Sequence, residues 1–421
     1  PIFTTTNIAV DHNQLTMEMM RKVAAKHNLK CLLHEKPFAG VNGSGKHNNW
    51  SISTDTGINF LKAGKNPSEN KLFLLTLSAV IEAVDKHQDL LRIAVATAGN
   101  DHRLGGNEAP PAVISIFLGE DLTDTLLGFA NGVQHDDVKR VKMKMGADVI
   151  PEFKKDNADR NRTSPFAFTG NKFEFRMLGS ASSISDTNVM LNTMVADVFM
   201  EYADRLEKAG DIETEITAII KECVDNHKRI IFNGDGYSKE WEEEAEKRGL
   251  LNLKSTVDAL PLLKTEDNIA LFERHGVFNR AEIVSRVDII LENYTKIIHI
   301  EALTLIDMVN RDVMPAIMAY VNSLCETVNN KNLIRADCSV EYELITRLSA
   351  ANKEIFSLTA DLKEAVACAE RSSDIFEKAT EYRKVILKLM ADIRKYADSA
   401  ECVMPRQYWP YPSYGDLLFK I

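Results

Sequence analysis

Lys36–Ser51 reads K-P-F-A-G-V-N-G-S-G-K-H-N-N-W-S, with three glycines within six residues: Gly40, Gly43 and Gly45. Glycine serves where backbone must turn tightly or approach a ligand, because it has no Cβ to clash. Lys46, His47, Asn48 and Asn49 follow at once. The segment gathers backbone N–H donors, a cation, an imidazole and amides, more than a turn requires. Read as a P-loop, G-x-x-x-x-G-K-[ST], it would run from Gly40 to Lys46 and open a helix. His47 then occupies the place of the magnesium-holding Ser or Thr, and Asn48–Ile58 (N-N-W-S-I-S-T-D-T-G-I) has no helical period. Alternation over Trp50–Thr54 predicts a strand instead.

Working outward, the 421 residues are 45% hydrophobic and 27% charged, as in ordinary globular proteins. A formal net charge of −10 argues against nucleic acid and anionic membranes as general partners. No apolar run reaches membrane-spanning length, and nothing at the start resembles a signal peptide. The six cysteines show no C-x-x-C spacing, which fits small apolar residues in a reducing cytoplasm. The chain starts at Pro1 without a Met, as a fragment begins.

Pro1–Val10 is rich in β-formers and predicts a strand, followed by a helix over Asp11–His27 and a short strand over Lys30–Leu33. Ser68–His87 predicts a deeply packed helix with Ser68 as its N-cap. Gln88–Ala98 continues as a buried helix or strand, Ala112–Leu118 as a strand, and His135–Asn161 as a surface insertion. Asp186–Arg205 is helical. Ile230–Gly236 is an apolar run ending in a turn. Ile297–Asn329, Val340–Arg371 and Ser373–Ala400 read as long amphipathic helices, the first kinked by Pro315. Pro405–Ile421 is so rich in aromatics and prolines that it is expected to dock on its own chain or a neighbour.

Two further stretches carry chemistry. Asn100–Pro111 (N-D-H-R-L-G-G-N-E-A-P-P) places Arg103 and Glu108 on a glycine-rich turn before an apolar strand. Such charges face a pocket or form a solvated ion pair. In Arg160–Arg176 (R-N-R-T-S-P-F-A-F-T-G-N-K-F-E-F-R), Lys172, Glu174 and Arg176 alternate with Phe173 and Phe175. The period of a strand sends the charges to one face and the rings to the other. A carboxylate between two cations suits a metal–phosphate site, or cross-strand ion pairs on a half-exposed sheet.

The three stretches together, in this order, resemble the glutamine synthetase family, and within it the large type III form. N-G-S-G-K-H-N-N-W-S is similar to the family's N-G-S-G-x-H-x-H-x-S, R-L-G-G-N-E-A-P to R-x-x-P-G-x-E-A-P, and the third stretch to N-R-S-A-S-x-R-x-P…R-x-E-x-R-F-P. The resemblance implies an α+β catalytic domain over 1–295, an antiparallel sheet with packed helices, and a helical C-terminal extension over 296–421. It implies ATP-dependent ligation of ammonia to glutamate through γ-glutamyl phosphate, with Mg2+ or Mn2+. His47 and Glu174 match metal ligands, and Asn42, Gly43 and Arg103 match groups that meet the amino acid. Arg162 and Arg176 match phosphate-binding arginines, and Glu108 matches the residue that closes the site and helps deprotonate ammonium. Asn49, Ser51 and Lys172 fall where the family contacts nucleotide. Asn49 replaces the motif's second histidine, Lys172 an arginine, and Ala167 a second phosphate-contacting arginine. A ring-shaped homo-oligomer in the cytoplasm is implied as well. The family's remaining metal-binding glutamates have no match in 1–36, where Glu18 and Glu35 do not fit. The chain is therefore expected to be a C-terminal portion, inactive alone. The alternatives are a ligase joining glutamate to another amine, and a non-catalytic helical scaffold.

Overall fold

The computed structural model describes residues 3–38, 40–107, 109–132, 142–143, 153–154 and 163–419. Of the expected insertion at 135–161, only the antiparallel pair Lys142–Met143 and Phe153–Lys154 is described. The chain divides into two compact units, Pro1–Val287 and Asp288–Ile421.

The first unit begins with helix α1, Thr6–Lys26. Among the described residues of 1–10 the expected strand is not formed, because Ile8–Val10 extend the helix instead. Adding β-branched residues to an existing helix costs little compared with nucleating one. No strand forms at 30–33 either, and the chain passes without regular structure into the glycine loop. Strand β1 is Gly45–Trp50, the loop's own lysine, histidine and asparagines, earlier than the expected 50–54. The P-loop reading fails here, since no helix follows the glycines. Helix α2 spans Lys71–Lys86 and is capped by Asn70, whose side chain accepts from Phe73 N. Ser68 lies in a short 3-10 turn ahead of it. Helices α3 (Gln88–Ile93) and α4 (Ala98–Arg103) lead to strand β2 (Ile116–Phe117) and helix α5 (Glu120–Ala130). Strands β3 (Phe166–Phe168) and β4 (Phe173–Gly179) precede α6 (Ser185–Lys208) and α7 (Ile212–His227). Helices α8 (Lys239–Lys247), α9 (Thr256–Ala259) and α10 (Glu266–Arg274) follow, then α11 (Arg280–Met308), within which the unit division falls.

The sheet runs β1-β4-β3-β2. β4 pairs antiparallel with both neighbours, and β2 pairs parallel with β3. Phe173 and Phe175 point to the covered face. Phe166 stacks on Phe173 at 4.5 Å between ring centres, and Phe168 meets Phe73 of α2 at 5.9 Å. Asn48 and Trp50 of β1 share that face and reach α6. Trp50 Nε1 donates to Asn192 Oδ1 at 2.9 Å, and Asn48 Nδ2 donates to Asn188 Oδ1 at 3.2 Å. Both asparagines of the second pair are buried, and each would orphan the other's amide if truncated. Asn188→Ala is expected to cost about 1–3 kcal/mol, read as a lower urea midpoint with an unchanged slope.

In the second unit a π-turn, Val309–Val313, separates α11 from α12 (Met314–Leu333). Pro315 has no N–H, and its ring would clash with the carbonyl four residues back, that of Arg311. Widening the preceding turn accommodates both constraints. Helix α13 (Ser339–Ala369) buries Leu348, Ile355 and Leu362 at seven-residue intervals and packs on α12 and on α15 (Leu387–Glu401). Helix α14 (Ile375–Glu381) reaches α15 through a second π-turn, Tyr382–Ile386, which no proline announces. There the Tyr382 hydroxyl lies 2.6 Å from His299 Nδ1 and 2.7 Å from Glu370 Oε1. The aromatic tail docks on its own chain. Tyr411 donates to Asp312 Oδ2 at 2.8 Å, and the Tyr408 ring lies 5.1 Å from Tyr320. Helix α16 (Tyr414–Phe419) follows.

Candidate functional site

The open face of β1 and β4 carries the charged cluster. Asn49 sits opposite Glu174 in the antiparallel register. One step along, the register slips: Lys46 pairs with Leu178 but Asn48 with Phe175, so Arg176 and Met177 together oppose His47. A bulge of this kind kinks a strand and re-aims a side chain. Here Arg176 turns back along its own strand. It grips Glu174 Oε2 through Nη2 at 2.9 Å and donates from Nη1 to Thr163 Oγ1 at 2.7 Å. His47 Nδ1 lies 2.7 Å from Glu174 Oε1. The His47 hydrogen bond and the Arg176 guanidinium hold the Glu174 carboxyl down at about 2. An ionised carboxylate only accepts, so His47 Nδ1 is the donor in this bond. The His47 side chain is 53% exposed and that of Glu174 19%.

Against β4 lies Arg103, the last residue of α4, which is buried. Its guanidinium donates to Asn100 Oδ1 at 3.2 Å and to the carbonyls of Arg176 and Met177, each at 3.3 Å. Burial pushes its pKa down. The glycine loop wraps over it. A Cβ on Gly45 would lie 2.2 Å from Arg103 Nη2, and one on Gly43 3.0 Å from Arg103 Cγ. Asn107 Nδ2 donates to the Gly40 carbonyl at 3.0 Å, tying the turn after Arg103 to the same loop. Lys46 Nζ reaches the Ser182 carbonyl and lies 3.0 Å from Met17 Sδ of α1.

At the far end of β1, Ser51 Oγ donates to the Asn171 carbonyl, and Asn59 Nδ2 donates to Ser51 Oγ, both at 2.9 Å. Asn59 and Asn171 also line a cavity of about 510 Å3 with Phe60, Lys62, Asn70 and Phe73. Lys172 Nζ lies 5.8 Å from the centre of the Phe3 ring.

Residues 3–112 match the family model for the glutamine synthetase catalytic domain, and residues 215–332 match that for the glutamine synthetase C-terminal domain. The whole chain aligns with glutamine synthetase of Butyrivibrio fibrisolvens at 47% identity and with type-3 glutamine synthetase of Dictyostelium discoideum at 42%. The chain belongs to the glutamine synthetase family. Within it, the chain falls in the type III branch. A third relative, glutamine synthetase of Bacteroides fragilis (strain YCH46), is 40% identical over the whole chain. The chain spans 60%, 58% and 59% of the lengths of these three relatives.

Against the family motifs, the structure brings His47, Asn49, Glu174 and Arg176 to one face, with Arg103, Asn42 and Gly43 along the glycine loop and α4. Ser51 and Lys172 lie toward the other end of the strands. Glu108 and Arg162 lie outside the described residues. A carboxylate held ionised beside an imidazole fits a small divalent cation, which takes oxygen and nitrogen donors. Among the described residues no third His, Cys, Asp or Glu joins them. Sequence reasoning missed Thr163, which steers Arg176, and Glu35. Glu35 has no periodic or motif signal, and its place emerges only from glycines far apart in the chain.

Proposed function

We propose that the full-length protein carrying this chain ligates ammonia to glutamate in an ATP-driven reaction giving glutamine. The observation that supports it most is Glu174, ionised and gripped between His47 and Arg176 on the open face of the sheet. His47 and Glu174 would hold a divalent cation, magnesium or manganese. When bound, that cation would neutralise the polyphosphate and polarise the phosphoryl group. Arg103 would receive the amino acid's carboxylate, beside Asn42 and Gly43. Arg176 and Arg162 would hold phosphate oxygens. Asn49, Ser51 and Lys172 would meet the nucleotide, with the Asn59–Asn171 cavity next to Ser51.

In the first step an oxygen of the substrate's γ-carboxylate attacks the γ-phosphorus of ATP, and ADP leaves. In the second, ammonia attacks the acyl carbon of γ-glutamyl phosphate, and phosphate leaves with the C–O electron pair. Glu108 would take the proton from ammonium and cover the site so that water does not compete. The site is expected to sit in a ring-shaped homo-oligomer. The apolar side chains Leu15, Met19, Met20 and Val23 lie exposed along α1, a face that calls for cover. Six free cysteines support a reducing cytoplasmic setting.

The test supplies glutamate, ATP and magnesium to the full-length protein with either ammonia or a polyamine. Glutamine with stoichiometric ADP, from ammonia alone, is the expected result. A γ-glutamyl polyamine would move the assignment to another ligase. No ADP with either amine would overturn it.

A further inference from the structure

Glu35 is the least expected residue in the site. It sits in an irregular stretch, only 5% exposed, with a carboxylate that costs free energy to bury unless it is partnered. Its Oε1 accepts from Ala181 N at 3.0 Å, just past the end of β4. Its main-chain carbonyl accepts from Ser44 N at 2.7 Å, inside the glycine loop. One residue thus ties the loop to the strand that carries Glu174 and Arg176.

Three glycines make room for it. A Cβ on Gly99 would lie 2.3 Å from Glu35 Oε2, and one on Gly179 2.3 Å from Oε1. A Cβ on Gly43 would lie 2.6 Å from the Glu35 carbonyl oxygen. These glycines come from α4, β4 and the loop, and none has the positive φ that would demand glycine for backbone reasons. Gly99 and Gly179 leave space for the Glu35 side chain, and Gly43 for its carbonyl and for Arg103.

Arg103 lies beside it: a Cβ on Gly43 would also lie 3.0 Å from Arg103 Cγ. Arg103 is pushed down by burial, and Tyr237 and then the Glu35 carboxylate act in the opposite direction. The acceptors that Arg103 bonds directly, Asn100 and backbone carbonyls, are all neutral. Glu35 is a buried carboxylate whose charge acts on that guanidinium.

We propose that Glu35 is a positioning residue for the amino-acid subsite: it holds Arg103 and the glycine loop in register with β4, so that the arginine is already aimed when a substrate carboxylate arrives. This rests on the glutamate-binding role given to Arg103 above. Glu35 touches no reacting atom, so its effect belongs in substrate binding and not in phosphoryl transfer.

The experiment measures Glu35→Gln in the full-length protein, with glutamate and ATP varied separately. Glutamine is nearly isosteric and can still accept from Ala181 N, so the change removes charge alone. KM for glutamate is expected to rise about 10-fold or more, while KM for ATP moves less than about 2-fold. Glu35→Asp keeps the charge but withdraws it by one methylene. It is expected to shift the same constant by about 3-fold. A residue that merely supports the fold would lower thermal stability and leave the ratio of the two constants unchanged. If Glu35→Gln does not fold, Glu35→Asp carries the test. A folded variant with the wild-type KM for glutamate, or with both constants raised equally, overturns the proposal. A wild-type protein that makes no glutamine overturns the ligase reading, and this proposal with it. A wild-type protein that works beside an unaffected variant overturns the Glu35 proposal alone.

Discussion

Glu174→Gln in the full-length protein is expected to lower the rate of glutamine formation by about 100- to 1,000-fold, the usual loss when one preorganised charged group is removed from a reacting centre. The amide cannot supply a negative oxygen to a cation, and it removes the charge from the oxygen that Arg176 Nη2 bonds at 2.9 Å. The non-catalytic scaffold reading expects no change, so the rate alone separates the two. A second signature lies in stability. The folded-state value of Glu174 is depressed from 4.5 to about 2. A depressed carboxyl contributes stability that is fully present above the unfolded value and is lost as pH falls through the folded one. Wild type should therefore lose stability between about pH 4.5 and about pH 2 through this group, and Glu174→Gln should lose correspondingly less. Urea midpoints across that range read the difference. Parallel pH profiles for the two proteins would mean that the His47–Glu174–Arg176 cluster does not hold charge as described.

Gly45→Ala is expected to have the next largest effect. Gly45 has no positive φ, so alanine suits its backbone and the whole cost is contact. The new methyl would lie 2.2 Å from Arg103 Nη2 and 2.5 Å from Cζ. An exposed arginine would swing aside. This one is held by Asn100 and by the carbonyls of β4, so relief requires breaking those bonds or moving the strand. Overpacking of this kind costs about 1–3 kcal/mol, and binding of glutamate should weaken together with stability. Gly40→Ala is the control. Gly40 has φ +76° and open space where a Cβ would go. Alanine there should cost about 1–2 kcal/mol from the left-handed backbone, with no effect on Arg103. Apparent melting temperatures and KM for glutamate, measured on both variants, distinguish collision from backbone strain. Equal effects on KM would place the cost somewhere other than Arg103.

What could be read in advance followed local pattern. The alternation of Lys172, Glu174 and Arg176 with Phe173 and Phe175 gave β4 and its two faces, because a strand's period is set by the residues themselves. The long helices of the second unit followed from their spacing in the same way. β1 was placed late because Gly-Lys-His-Asn-Asn is a poor strand by propensity. Pairing with β4, and the burial of Asn48 and Trp50 against α6, make it one. α1 began earlier than expected because helix extension outweighed the β-preference of Ile8 and Val10. The bulge at Arg176–Met177 could not be foreseen, since it depends on the register of two strands more than a hundred residues apart. Glu35 was dismissed as a metal ligand, and its structural place depends on Gly99 and Gly179, neither of which belongs to any motif.

The two π-turns carry a consequence for alignment. A π-turn absorbs about one residue more than the helical turn it replaces, so each marks a point where the helical unit tolerates a change in length without opening a loop. Beyond such a point every side chain is rotated by about 100° relative to an unbroken helix. Tyr320, which meets Tyr408, and the inner face of α15 are set by that offset. A relative lacking the extra residue near 309–313 or 382–386 would therefore need its gap inside the helix. Shifting the gap to the nearest loop would assign core positions to the surface along the rest of that helix.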